Sequence, residues 1–334
     1  MARRKRRKRP KEIRRPSTPS PLPPDVQFVI SPAIGTDGRV PKAAQPRPTE
    51  QTFLHIWVLT EEELASEEEL EELLSRYLTP LQKPRFPEPT QPWHKAQNAA
   101  YEGWEKRWAR QRKKVAHQAL SISSDAVDPY LLLAHDAASW EEAAQLCAQA
   151  KAAAERLLGP DPFTAYKDNF WGVVITRPYM RARFALGYAL WRQGNHAEAQ
   201  VEFEKLLRLN PGDNQGARYV LVAVLLEQGK DEEARRIMDR YSPDALSHWA
   251  YNQALLQFRR RGDHSQARRR LNRAFSLNPY VPPLLLGERR VRSWELQFVA
   301  PGEENEAIEY VHLYKNAWAM TSGALEWLSK GGTP

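Results

Sequence analysis

Residues 185–211 read ALGYALWRQGNHAEAQVEFEKLLRLNP, two helix-forming stretches interrupted by small residues. Some of these small residues recur downstream at intervals of 35 and then 33 positions. The recurring residues are Gly194, Gly229 and Gly262 in one series and Ala199, Ala234 and Ala267 in the other. The quoted stretch is therefore one copy of a repeat, with Gly187 as a further small residue in its first half.

A period of about 34 residues with two helices per unit is typical of the tetratricopeptide repeat. In such a unit, Gly187 and Ala199 are small because the two helices cross there at close range. Gly194 makes the turn between the helices, and Pro211 ends the second one because proline cannot continue a helix. One unit cannot bury its apolar face alone, so neighbouring units must stack. The sequence predicts an all-α solenoid of about five helix pairs with a disordered basic N-terminal tail.

Two weaker copies precede the clear ones. Within residues 131–157, WEEA stands where the second helix of a unit would begin. Residues 101–125 look like a degenerate first unit, with one face formed by Trp104, Trp108, Val115 and Ala119. The spacing between the second and third units exceeds one period, which indicates an insertion at 158–179.

Proline content and charge divide the chain into four regions. Residues 1–50 have a basic run followed by nine prolines, a composition that predicts a disordered basic and Pro-rich tail. Residues 51–92 are predicted to form an acidic helix and a Pro-rich linker. The repeat array is expected at 93–279, and a C-terminal helical cap at 280–334.

The formal net charge of +8 belongs to the tail rather than to the body. Residues 3–15 hold ten basic residues and one acidic residue, which leaves 39 basic and 40 acidic residues elsewhere. Seven consecutive cations are predicted to contact nucleic-acid phosphates without sequence specificity: Arg3, Arg4, Lys5, Arg6, Arg7, Lys8 and Arg9. A nucleic-acid- or ribosome-associated protein, anchored by this tail, is therefore the second hypothesis for function.

Eight glutamates lie between positions 61 and 72, behind a capping box formed by Thr60 and Glu63. These glutamates form either a solvated helix face or a tethered acidic segment that competes for a basic surface. The candidate basic surfaces are 105–114 and 259–270.

Several classes of protein and site are not indicated. Cys147 is the single cysteine, and its place on an apolar helix face predicts packing rather than chemistry. The longest apolar run, at 219–226, falls short of the roughly 18 residues that span a membrane. Two runs, at 26–30 and 52–59, are β-like in composition and would pair or dock on the body. There is no Gly-rich phosphate loop and no His-Glu-x-x-His motif, so we expect no enzyme activity, no cofactor, no metal, no membrane partner and a cytoplasmic location.

Four stretches carry a resemblance to a known family: TRPYMRAR at 176–183, LLRLNPGDNQGARYVL at 206–221, WAYNQALLQFRRRGD at 249–263 and LNPYVPPLLLG at 277–287. Over roughly residues 96–328 the chain resembles bacterial tetratricopeptide-repeat proteins that are distantly similar to the repeat region of the suppressor of tumorigenicity 7 family. The resemblance implies the repeat fold and no particular activity. The eukaryotic members carry membrane segments, and none is visible in this sequence.

The usual binding surface of such arrays is the concave face, which the first helix of each unit lines. The predicted lining residues are Arg181, Phe184, Tyr188, Trp191, Arg192, Tyr219, Trp249, Asn252, Gln253, Arg259 and Arg260. Aromatic residues and arginines are typical of interface hot spots, and an arginine suits a carboxylate. The alternative is that several of these aromatics form the core between repeats.

Two further stretches have two interpretations each. DNQGARY at 213–219 either caps the next helix through Asp213 or Asn214 or serves in recognition. FWGVVITRPYMR at 170–181 either packs an irregular connection against the array or has a function of its own. The leading hypothesis is a non-enzymatic scaffold or adaptor for a protein partner that presents an acidic or extended segment.

Overall fold

A computed structural model describes residues 38–47, 49–63, 88–289 and 299–331. All regular structure within these ranges is helical, and no strand occurs in them. No helix in the described part of the chain is both long and apolar enough to cross a membrane. The all-α solenoid predicted from the repeat period is confirmed.

The α-helices, numbered in chain order, are α1 (Glu50–Glu63), α2 (Pro92–Trp104), α3 (Ala109–Ile122), α4 (Asp128–His135), α5 (Trp140–Leu158), α6 (Pro162–Ala165), α7 (Arg177–Arg192), α8 (His196–Leu209), α9 (Ala217–Glu227), α10 (Asp231–Arg240), α11 (His248–Arg261), α12 (Ser265–Leu277), α13 (Val281–Leu285), α14 (Glu304–Ala319) and α15 (Ala324–Lys330). Short 3-10 helices lie at Lys42–Ala44, Phe170–Gly172 and Val174–Thr176. Five pairs form the array: α2 with α3, α4 with α5, α7 with α8, α9 with α10, and α11 with α12. We call the first helix of each pair the A helix and the second the B helix.

The recurring glycines make the turns inside the three clear repeats. Gly194, Gly229 and Gly262 have φ angles of +89°, +70° and +67°, a region that glycine enters without the steric cost of a Cβ atom. After Gly194, the N–H of Asn195 donates to the carbonyl of Leu190. After Gly229, the N–H of Lys230 donates to the carbonyl of Leu225, and both hydrogen bonds are 2.9 Å long. These bonds satisfy carbonyls at the helix ends, as in a Schellman motif.

The small residues inside the helices mark the A–B crossing. A Cβ atom added to Gly187 would lie 3.1 Å from the Cβ of Glu202 and 3.1 Å from Cζ of Phe203, both on α8. Ala199 is fully buried on the opposing helix. The close approach predicted from the sequence is therefore present.

The insertion between the second and third pairs packs against the array. Its α6 contributes Phe163, whose ring centroid lies 5.1 Å from that of Phe170 and 5.0 Å from that of Tyr179. Phe170 is fully buried, and so is Thr176 at the start of α7. These contacts favour the packing interpretation of this stretch.

The N-terminal region differs from the prediction in three ways. Residues 38–47, expected to be disordered, place Val40 and Ala44 in the main core. Residues 52–59, expected to be β-like, lie inside α1. The same helix continues through Thr60, so the predicted capping box does not begin a helix. Proline stops a helix, but it does not prevent an extended segment from packing where an apolar surface is available.

Other predictions fall on residues that the structure does not describe. The seven consecutive cations of the tail lie outside the described residues. So do positions 64–72 of the glutamate run and most of the Pro-rich linker.

Replacing Ala199 with Trp should lower the free energy of unfolding by about 1–3 kcal/mol or more, because the indole cannot fit at the A–B crossing. Ala197 lies on the same helix with its side chain exposed, and Ala197→Trp should change stability by less than about 0.5 kcal/mol. Urea denaturation of the two variants measures both values. Equal stability of the two variants would contradict the assignment of Ala199 to the crossing.

Candidate functional site

The predicted groove residues lie on the A helices α7, α9 and α11, but they do not share one face. Phe184 packs on Phe203 of the B helix α8, and Arg181 pairs with carboxylates of α1 and α4. Their exposure does not fit an open groove. Buried members of the predicted set are Arg181, Phe184, Tyr188, Trp191, Tyr219, Trp249 and Asn252. Gln253 and Arg259 are half-buried, and only Arg192 and Arg260 are exposed. The prediction that these residues form an open binding surface is wrong for the seven that are buried.

For Tyr188, Tyr219 and Asn252 the physical reason is that α14 lies against them. Its His312 lies against α7, where Nε2 is 2.8 Å from the hydroxyl of Tyr188. The hydroxyl of Tyr314 donates to the carbonyl oxygen of Tyr219 on α9 at 3.0 Å. On α11, Asn252 accepts a hydrogen bond of 3.0 Å from the hydroxyl of Tyr310. One helix thus crosses the A helices of three consecutive repeats and occupies the concave face.

Aromatic rings fill the centre of this contact. The imidazole of His248 is fully buried, and its centroid lies 5.2 Å from that of Tyr219, 5.5 Å from that of Tyr310 and 5.8 Å from that of Tyr314. The rings of Tyr310 and Tyr314 are themselves 4.8 Å apart. Such ring pairs stabilise a contact beyond the area that they bury.

Arg259 stabilises the contact between α14 and the array, and its donors bond within the chain. Its Nη2 donates to the carbonyl oxygen of Ala317 at 3.0 Å, and its Nε to the hydroxyl of Thr321 at 2.8 Å. Nη1 donates to the carbonyl of Leu226 at 2.9 Å and pairs with Asp231 at 2.6 Å. The guanidinium therefore joins α9, α10, α11 and the end of α14.

Arg181 is also an internal residue. Its side chain is fully buried between two carboxylates: Nη1 donates to Oε1 of Glu50, and Nη2 to Oδ2 of Asp128 at 2.5 Å. Burial alone would lower the pKa of Arg181, but the two carboxylates raise it well above its ordinary value. The hydroxyl of Tyr101 donates to the same Glu50 oxygen at 3.2 Å. This network joins α1, α2, α4 and α7, so Arg181 has no free edge for a carboxylate of another protein.

Residues 38–47, which we call the N-terminal strap, form a second set of contacts within the chain that cover part of the array. Arg39 donates through Nε to the carbonyl of Ala137 at 2.8 Å, beyond the end of α4. The amide of Gln215 donates to the carbonyl of Ala43 at 3.0 Å, and Arg47 donates to the carbonyl of Asn214 at 2.8 Å. The strap therefore reaches from α4 to the loop before α9.

Asp213 caps the following helix, which is one of its two predicted roles. Its Oδ1 accepts from the backbone N–H of Ala217 at 2.7 Å, and its Oδ2 from that of Arg218 at 3.0 Å. The side chain of Arg218 bridges Asp213 and Asp244, at 3.0 and 3.2 Å. The stretch is thus fixed by internal bonds.

Arg39 of the strap, Trp140 of α5 and the end of α7 meet in one cationic and aromatic group. The exposed Arg192 ends α7, and its guanidinium carbon lies 5.6 Å from the ring centroids of both Trp140 and Trp191. The guanidinium carbon of Arg39 lies 4.8 Å from the centroid of the same Trp140 ring. The buried Tyr188 packs on the same tryptophan, with 5.8 Å between the ring centroids of Tyr188 and Trp140. We call this group the Arg192 opening.

Catalytic or metal-binding groupings are not evident in the part of the chain that the structure describes. No three His, Cys, Asp or Glu side chains there are placed to hold a metal ion. Cys147 is buried within α5, and burial raises the pKa of its thiol far above the ordinary value. The packing role predicted for Cys147 is confirmed.

The sequence interpretation missed the residues of α14 that fill the concave face, chiefly Tyr310, Tyr314 and Trp318. A signal for them was present in α9, whose residues 219–226 are all apolar or aromatic. A helix that is apolar on every side must be covered on every side. The C-terminal region supplies that cover.

Comparison with known proteins agrees with this architecture. Residues 190–257 match the tetratricopeptide repeat family model. In an alignment of 269 positions that covers 68% of the chain, the sequence is 27% identical to the protein named Protein ST7 homolog of Caenorhabditis briggsae. The match covers 48% of that protein, so the chain spans about half of this relative's length. No solved structure matches the chain. The tetratricopeptide repeat and the distant similarity to the suppressor of tumorigenicity 7 family are confirmed.

Tyr310→Phe should destabilise the contact between α14 and the array. The Tyr310 hydroxyl donates to Asn252 and accepts from Nε1 of Trp318 at 2.7 Å, so its loss leaves two buried polar groups unpaired. We expect a loss of about 1–3 kcal/mol in the free energy of unfolding. Tyr314→Phe is the matched control, because the acceptor of its hydroxyl, the carbonyl of Tyr219, keeps its helical bond; its cost should be smaller. An equal cost for the two variants, measured by chemical denaturation, would count against the network.

Stability should fall at acid pH through His312. Burial lowers the pKa of His312 from 6.5 to about 4, with a further lowering by Arg192. Between these values the unfolded chain binds a proton at His312 and the folded chain does not. The contribution of this residue is therefore complete above pH 6.5 and is lost as the pH falls toward 4, by up to about 1.4 kcal/mol per pH unit. His312→Gln should show a correspondingly shallower decline in denaturation experiments from pH 7 to 4, and parallel curves for the two proteins would refute the assignment.

Proposed function

We propose that this tetratricopeptide-repeat protein is a non-enzymatic scaffold that binds an acidic, extended segment of a partner protein at the Arg192 opening. Tetratricopeptide repeats serve as protein-interaction scaffolds, and the comparisons find a repeat family and no enzymatic family. The observation that supports the location is the exposed guanidinium of Arg192 between two tryptophan rings.

The charge of the opening favours an acidic ligand. Arg39 and Arg192 present two guanidinium groups to the same ring of Trp140. Arg39 already donates to backbone carbonyls, whereas the side chain of Arg192 forms no ion pair with any described residue. A carboxylate at this position would gain a charge-assisted hydrogen bond from a pre-oriented donor.

The shape of the array favours an extended ligand over a helical one. The groove that would take a partner helix is filled by α14, with the side chains of Tyr310, Tyr314 and Trp318 fully buried. A partner would have to displace these residues, and removing a buried tryptophan or tyrosine costs about 3–5 kcal/mol. An extended segment can reach the Arg192 opening without that displacement.

Selection of peptides from a random library with the full-length protein tests the proposal. We expect enrichment of acidic peptides and a weakening of their binding by at least about fivefold in Arg192→Glu, because a central arginine of an interface carries more than about 1 kcal/mol. Arg236→Glu is the control: it makes the same charge change at an exposed position of α10. Selected peptides whose affinity survives Arg192→Glu would place the binding surface elsewhere. Failure to select any acidic peptide would reject the ligand class.

A further inference from the structure

An exposed tryptophan lies in the first repeat, at the turn between α2 and α3. Trp108 is 61% exposed, more than any other aromatic side chain among the described residues. The sequence predicted it on a packed face with Trp104, Val115 and Ala119. In the structure, Ala119 is buried, but Trp108 is the residue before α3 and points its ring to solvent. Packing therefore gives no account of this side chain.

One cation lies over the exposed ring, and four more are close to it in the sequence. The guanidinium carbon of Arg107 lies 4.9 Å from the ring centroid of Trp108. The neighbouring exposed cations are Lys106, Arg107, Arg110, Lys113 and Lys114. None of these five forms an ion pair with a described residue. Spacing by three and four residues places Arg110, Lys113 and Lys114 on one side of α3.

The turn that presents Trp108 is held in place by a buried arginine. Nη1 of Arg112 donates to the carbonyls of Lys106 and Arg107, at 3.0 and 2.9 Å. The same side chain is fixed by Asp136, to which Nε donates at 2.8 Å. The backbone turn that leads to Trp108 is therefore held in place by internal hydrogen bonds.

We infer that this surface, formed by Trp108 and the five cations, binds single-stranded nucleic acid. An exposed aromatic ring stacks on a base, and neighbouring lysines and arginines follow the phosphates; this combination is the usual basis of binding without sequence preference. The site is separate from the basic tail, and the inference does not depend on the proposed peptide-binding function.

Two other polyanionic partners fit the observations less well. A helix that binds at a membrane surface needs an apolar face directed to the lipid. The apolar side of α3, with Ala116 and Ala119 fully buried, faces the other helices. An acidic peptide would use the cations but would leave the ring of Trp108 without a stacking partner.

The test measures binding of a labelled oligouridylate of about 15 nucleotides to the full-length chain by fluorescence anisotropy at several salt concentrations. Trp108→Ala should weaken binding by about fivefold or more, the effect of losing one stacked base. The double variant Lys113→Gln, Lys114→Gln should weaken binding and reduce the salt slope by about 0.7 for each phosphate that is no longer neutralised. The double variant Arg236→Gln, Arg240→Gln removes two exposed cations from α10 and serves as the control for net charge.

The tail of residues 3–15 is predicted to bind nucleic acid and is present in every variant, so photo-crosslinking with a thiouridine-labelled oligonucleotide gives a second measurement. Crosslinks within the peptide that contains Trp108 would support the inference. Crosslinks confined to residues 3–15, with affinities of the Trp108 and Lys113/Lys114 variants equal to that of the control, would overturn it. The inference would also be wrong if Trp108→Ala weakened binding to polyglutamate or to phosphatidylserine vesicles and left binding to oligouridylate unchanged. The surface would then belong to a different partner.

Discussion

Helix α9 is apolar on every side, and the rest of the structure is arranged to cover it. Each of its residues from Tyr219 to Leu226 is at most 1% exposed. Repeat stacking covers α9 with α8 and α10, and α14 covers the remaining side. Since a fully buried valine or leucine contributes about 1.5–3 kcal/mol, leaving that side in water would cost several kcal/mol. The C-terminal helix is therefore part of the repeat array's own core.

The cover over α9 is specific as well as apolar. Glu306 at the start of α14 accepts hydrogen bonds from the backbone N–H of Ser247, from the side chain of Asn278 at 2.8 Å and from the N–H of Gly302 at 2.6 Å. Buried polar groups that are satisfied in only one arrangement disfavour every other register. The helix is thus fixed at a single position on the concave face, with its tyrosines and histidine each opposite a defined partner.

The functional consequence concerns which surfaces of the protein are available to bind a partner. An array of this kind offers its concave face, but here α14 fills that face and the N-terminal strap covers its edge. Two of the groups that keep an exposed cation beside an aromatic ring are Arg192 with Trp140 and Trp191, and Arg107 with Trp108. These two surfaces are the ones that carry our proposals.

The sequence by itself determined the repeat, since the spacing of Gly194, Gly229 and Gly262 depends on local turn and crossing geometry that each copy carries within itself. It also predicted a helix cap by Asp213 or Asn214 as one of two interpretations, and the structure shows the cap at Asp213. The exposure of individual side chains could not be predicted in this way. An arginine or an aromatic residue on an A helix has the same local sequence pattern whether it lines a groove or lies beneath another helix. Only the tertiary structure decided that Arg181 is enclosed by two carboxylates and that Trp108 is in solvent, because both outcomes depend on segments distant in the chain. The acceptors of Arg181 come from α1 and α4, and the turn before Trp108 is anchored through Arg112 to Asp136.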